Sequence, residues 1–116
     1  MAGFMGAVTR YSVDQWISGR IGGAFPWGTL VINVSGSFLL GLLATLFAER
    51  LSPHPEVRLA LTVGFLGAYT TFSTYMLESW RLLETGAYWT AAVNLGGSVA
   101  LGLVAVGLGL FLGRSV

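Results

Sequence analysis

The sequence predicts an all-α membrane protein of one domain, on three observations. Of its 116 residues, 54% are apolar and only 9% charged, where a soluble domain carries roughly 25% charged residues. Three stretches, 21–48, 59–77 and 85–113, hold no charge, and crossing the hydrocarbon takes about 20 apolar residues in a helix. Trp27, Trp80, Tyr88 and Trp89 stand near the ends of these stretches, where amphipathic rings favour the membrane interface.

The elements follow in chain order. Residues 1–17 form either a first span with a polar, partner-facing end or an interfacial helix. Gly3, Gly6 and Ala7 favour the span, because small residues suit helix packing better than a lipid surface. Arg10 and Asp14 stand one turn apart and can pair. A Gly-rich link over 20–26 leads to a second helix that begins near Trp27, after Pro26. The run Leu51-Ser52-Pro53-His54-Pro55 is a turn that cannot continue a helix. The third segment and the fourth are joined by a short link with Glu84 and Gly86. The expected spans are about 1–19, 27–48, 59–80 and 88–113.

Composition excludes several functions. The six basic residues are all Arg and form no cluster, and the net charge is +1, which argues against binding nucleic acid phosphates. Without Cys there are no thiolate metal sites, disulfides or Cys nucleophiles. A single His54 between two prolines makes a poor metal or acid–base centre, so no enzyme is expected. The start lacks a basic region followed by an uninterrupted apolar core, so no cleavable signal is expected.

Orientation is set by Arg and Lys asymmetry between the loops. With four spans, Arg50, Arg58 and Arg114 share one side, and Arg20 and Arg81 the other. So small a bias predicts insertion in both directions, which allows an antiparallel homodimer.

Polar residues within the spans are the candidates for function. Asn33, Ser37, Gly41 and Thr45 recur every four residues and so share one helix face. Asn94, Ser98 and Gly102 repeat the device in the last span. Such stripes serve either close helix contact or a water-accessible path; Gly41 and Gly102 fit the first, while Asn33 and Ser98 fit both. The third segment reads Gly64-Phe65-Leu66-Gly67-Ala68-Tyr69-Thr70-Thr71-Phe72-Ser73-Thr74-Tyr75. Glycines followed by hydroxyl side chains make a weak helix. Either it breaks, freeing carbonyls that protein, water or an ion must satisfy, or it continues, with hydroxyls bonded back to earlier carbonyls. After a break, Phe72 and Tyr75, three apart, would share one face, and a ring's positive edge can face an anion.

These residues together resemble the Fluc/CrcB family of microbial fluoride channels. The correspondence runs through Gly3, Gly6, Arg10 and Tyr11, then Gly28-Thr29-Leu30, Asn33 and Gly36-Ser37-Phe38-Leu39-Leu40-Gly41. Its most specific part is Gly64-Phe65-x-Gly67-x-x-Thr70-Thr71-Phe72-Ser73-Thr74. The resemblance implies four spans with the third broken at mid-membrane, an antiparallel homodimer in the bacterial or archaeal plasma membrane, and two fluoride pores. It also implies a structural sodium ion at the dimer centre, held by backbone carbonyls of Gly67 and Thr70 of both subunits. Asn33, Phe72 and Tyr75 match pore positions, Glu78 matches an acid near the pore, and Ser98 looks like a hydroxyl of the polar track. Arg10 resembles the vestibule arginine that draws anions inward. Tyr75 stands where Phe is usual, and the first segment looks about half a span shorter than the family's.

The mechanism expected from these residues is passive. Fluoride is small and strongly hydrated, so a pore replaces its water with the Asn33 amide, the hydroxyls of Thr71, Ser73 and Ser98, and the ring edges of Phe72 and Tyr75. No Lys or Arg lies mid-pore to trap the ion. Two rival classes share the composition: a small dual-topology proton-coupled exporter of toxic cations or drugs, and a non-transporting membrane subunit. The exporter needs a buried titratable acid in its path, for which Glu78 is the inward candidate.

Overall fold

Pro26 closes the Gly-rich link, and helix α2 starts at the next residue, running over Trp27–Thr45. It continues through a wider, π-type turn, Leu46–Arg50. The last helix, α6 (Tyr88–Ser115), runs for 28 residues without a break. The 23 residues of Trp27–Glu49 and the 28 of Tyr88–Ser115 are each long and apolar enough to cross a membrane, about 34 and 42 Å at 1.5 Å per residue. The computed structural model describes residues 1–50 and 53–115. The part of the expected turn at Leu51-Ser52 lies outside the described residues, which are helical or irregular with no strand.

Ahead of this pair comes α1 (Ala2–Arg20), 19 residues or about 28 Å long. The third segment is composite: α3 (Pro55–Leu59), a π-type stretch Ala60–Leu66, α4 (Gly67–Tyr69), then, after an interruption, α5 (Ser73–Glu84). His54 opens it as a cap, its Nδ1 accepting the Glu56 N–H at 3.3 Å. At the other end Gly86 adopts φ +81°, a conformation that costs glycine little. There the Ala87 N–H reaches the Leu82 carbonyl and the Gly86 N–H the Leu83 carbonyl, the paired closure of a Schellman motif.

Close helix contact depends on glycine at specific points. A Cβ on Gly41 would run into the Val106 carbonyl of α6, and one on Gly109 into the Phe38 carbonyl of α2. A Cβ on Gly113 would meet the Thr45 side chain 2.7 Å away. Three glycines thus seat α2 and α6 backbone to backbone, and Gly41 serves the packing role that its stripe suggested. Gly6 does the same for α1 against the Phe65 carbonyl, and Gly28 for α2 against the Asp14 side chain. The small core that results centres on Ile32, Leu66 and Tyr69, flanked by Val13, Leu43 and Phe65.

One pairing expected from the sequence does not form. Arg10 is not joined to Asp14: its Nε donates instead to the Ala68 carbonyl, 3.2 Å away on α4. A carbonyl near the end of a helix carries negative dipole charge, and this one lies across the helix interface rather than along α1. Outside the core, Leu103, Val104 and Phe111 of α6 are 69%, 58% and 65% exposed. Surface that apolar is unfavourable in water and ordinary against lipid tails.

Gly109→Ala should therefore destabilise the protein by about 1–3 kcal/mol, because backbone atoms cannot yield to the added methyl. Gly107→Ala, whose Cβ meets nothing within 4 Å, should stay within about 0.5 kcal/mol. Thermal unfolding of the two variants in detergent checks the contrast.

Candidate functional site

Helix α4 stops at Tyr69. Thr70 turns to φ −80°, ψ 158°, an extended conformation, and the chain regains helical form at Ser73. Thr70 and Thr71 are β-branched and carry hydroxyls that compete for backbone partners, both of which weaken a helix. Of the two readings the sequence left open, the interruption is the one found. Hydroxyls still bond back to carbonyls one turn earlier on either side of it, Thr62 to Arg58, Thr70 to Leu66 and Ser79 to Tyr75.

The interruption is closed by side chains. Asn33 of α2 grips Thr71 from both ends: its Nδ2 donates to the Thr71 carbonyl at 3.0 Å, and its Oδ1 accepts the Thr71 N–H at 2.8 Å. The Thr71 hydroxyl oxygen accepts the Thr74 N–H at 3.3 Å, capping α5. Arg10 takes the Ala68 carbonyl. Gly36 leaves the room: a Cβ there would strike the Thr70 methyl and approach the Tyr69 ring. Among the described residues, no N–H or O–H is placed on the Gly67 or Thr70 carbonyl.

An open groove of about 350 Å³ lies alongside, between α2, the third segment and α6. Its lining includes Asn33, Ser37, Gly67, Thr70, Thr71, Phe72, Tyr75 and Ser98, and no charged residue. The structure thus gathers most of the sequence candidates in one place. Ser73, Glu78 and Arg10 are not among its lining residues. Ser73 is exposed at the start of α5. Glu78 turns towards the Thr29 hydroxyl, with Asp14 and Arg81 nearby. Its Oε1 is buried with no hydrogen-bond partner among the described residues.

Proton accounting shows which groups can still donate. Asn33 has used one amide N–H and keeps the second; Thr71 accepts through its oxygen and keeps its O–H. The Tyr75 hydroxyl is committed to the Leu95 carbonyl of α6. The Ser98 hydroxyl donates to Asn94 Oδ1 at 3.3 Å. Asn94 in turn donates to Ser79 at 2.9 Å and is 1% exposed. Ser37 lines the groove with no hydrogen bond on its hydroxyl among the described residues. It completes the donor set; its place four residues after Asn33 was the signal that could have found it. Phe72 is exposed, and its ring meets Tyr75 edge-on, centroids 6.1 Å apart at 69°.

Neutral donors and ring edges in an uncharged groove suit a small anion that must leave again. The unpartnered carbonyls of Gly67 and Thr70, which line the groove, suit a cation. Oxygen dipoles and the absence of thiolates favour a hard ion over a soft one. Gly67 lies exposed in the single chain.

The CrcB-like protein (camphor resistance) family model matches residues 1–110. The "Fluoride-specific ion channel FluC" of Solibacter usitatus is 48% identical over 114 residues, 98% of this chain and 93% of the relative. The "Fluoride-specific ion channel FluC 1" of Symbiobacterium thermophilum is 52% identical over 114 residues, 97% and 92% of the two chains. The protein of the former name from Acidobacterium capsulatum is 45% identical over 116 residues, all of this chain and 93% of its own.

Gly36→Ala should press a methyl into Thr70 and cost about 1–3 kcal/mol. Gly97→Ala, with its nearest atom an ordinary 3.9 Å away, should be close to neutral. Chemical or thermal unfolding in detergent checks both.

Proposed function

The chain belongs to the CrcB-like protein family, and on that premise we propose that it is a fluoride-selective ion channel, giving passive efflux of fluoride and hence fluoride resistance. The observation that carries the proposal is the uncharged groove beside the interrupted third helix, lined by Asn33, Thr71, Phe72, Tyr75 and Ser98. The names of its relatives agree with it.

In the proposed arrangement the chain sits in the plasma membrane with four spans, about 1–19, 27–48, 59–80 and 88–113, and the interruption at mid-membrane. Two copies pair antiparallel, so that each groove becomes a pore closed by the other copy. The carbonyls of Gly67 and Thr70 from both copies would hold a structural sodium ion, and neither has a donor among the described residues to be displaced. When bound, that ion supplies positive charge that offsets the repulsion felt by anions passing nearby.

The chain's own residues do the rest. Fluoride gives up strongly held water, and it needs donors at close range in exchange. Asn33 offers its free amide N–H while its other atoms stay fixed on Thr71, and Thr71 offers its O–H. Ser73, exposed at the start of α5, has no hydrogen bond on its hydroxyl among the described residues, and Phe72 and Tyr75 present ring edges. The Tyr75 hydroxyl, absent from a Phe, is turned to Leu95, so the ring lines the path without adding a donor to it. Ser98 gives its proton to Asn94 and so contributes rigidity to the groove wall. Arg10 supplies vestibule charge beside α4, and Glu78 an acid near the pore end. Without a Lys or Arg side chain in the groove the anion is bound weakly enough to leave. Outside the cell fluoride is in equilibrium with its neutral acid, which crosses lipid and ionises inside; a passive pore lets the trapped anion out.

A proton-coupled exporter requires its acid in the transport path, and Glu78 is not part of the groove lining. Recordings from proteoliposomes with fluoride and chloride electrodes should show rapid efflux of fluoride and none of chloride. Asn33→Ala should slow fluoride efflux at least about tenfold, since it removes both a donor and the grip on Thr71. Equal efflux of the two halides, or unchanged flux in the variant, would contradict the proposal.

A further inference from the structure

One turn of α2 meets three consecutive residues at the interruption. Asn33 holds Thr71, Gly36 makes space for Thr70, and the Ser35 hydroxyl lies 3.0 Å from the Tyr69 hydroxyl. Ser35 has one proton, and the Ile32 carbonyl receives it at 3.1 Å. Tyr69 is therefore the donor and Ser35 Oγ the acceptor. Tyr69 is buried, and its ring stacks on Phe65 with centroids 6.1 Å apart. Neither hydroxyl lines the groove, so this pair does not meet a conducted ion. Its place in the chain is nonetheless decisive: Tyr69 is the last residue of α4, directly before the extended Thr70.

Two carbonyls without donors repel each other, and an interrupted chain is free to splay or to rewind. Holding them ready for an ion means removing that freedom before the ion arrives. We propose that Ser35 and Tyr69 are positioning residues: their hydroxyl pair fixes the end of α4 and so sets how tightly the Gly67 and Thr70 carbonyls hold sodium. The proposal rests on the cation site of the channel reading, and its test separates the two.

The purified full-length chain is melted in detergent over a series of sodium chloride concentrations, with N-methylglucamine chloride keeping ionic strength constant. The wild-type melting temperature should rise with sodium. Ser35→Ala and Tyr69→Phe should each raise the sodium concentration for half that effect about fivefold, the worth of one hydrogen bond. The double variant should go no further than either single one, and Ser35→Thr, which keeps the hydroxyl, should restore the wild-type value. Tyr69→Phe keeps the buried ring, so the fold survives even if Ser35→Ala unfolds. A wild-type response with unshifted single variants, or single shifts that add in the double variant, overturns the positioning role alone. A wild type indifferent to sodium overturns the cation site and the positioning role with it.

Discussion

A helix interrupted among apolar surroundings leaves backbone N–H and C=O groups that need partners, and the fold is organised around that need at Thr70–Phe72. In water such groups would be solvated at little cost, whereas in lipid each unpaired one costs several kcal/mol. Asn33 answers for both polar groups of Thr71, Arg10 for the Ala68 carbonyl, and the Thr71 hydroxyl for the first turn of α5. Among the described residues, the carbonyls of Gly67, Tyr69 and Thr70 are left over. The same side chains that repair the interruption therefore define where an ion can be held and which donors remain for an anion.

The glycines serve this arrangement at a distance. Gly41, Gly109 and Gly113 bring α2 and α6 into backbone contact, which fixes the two walls of the groove. Gly36 brings α2 close enough for Asn33 and Ser35 to reach the third segment. On the opposite wall, Ser79, Asn94 and Ser98 form a hydrogen-bonded chain between α5 and α6, and Tyr75 adds a bond to Leu95. Buried polar chains of this kind tie down a site only when their members are satisfied, and here Asn94 has a partner at both ends of its amide.

Much of this was legible in the sequence, and what was missed has a common cause. Pro26 marked the start of α2, the four-residue stripe marked the face carrying Asn33 and Ser37, and Gly64 to Tyr75 marked where a helix would be weak. Periodicity gave the face but not its partner. Arg10 and Asp14 looked like a pair because they are neighbours along α1, yet the carbonyl that Arg10 takes is 58 residues away. Asn94 read as one member of a stripe, while its burial depends on Ser79 in another helix. Whether the third segment breaks could not be settled from its own composition, because hydroxyls bonded back to carbonyls and an extended Thr70 occur together. The π-type turns at Leu46–Arg50 and Ala60–Leu66 left no signal in the pattern.

The account we propose stands on a groove that one chain leaves open and an inverted second copy closes. The chain contains no Cys, so a single thiol introduced at Ser115→Cys can be labelled in intact cells with a membrane-impermeant maleimide, before and after permeabilisation. About half of the copies should label from outside and the rest after permeabilisation, as an equal mixture of the two orientations requires. Labelling of every copy, or of none, before permeabilisation would contradict the account.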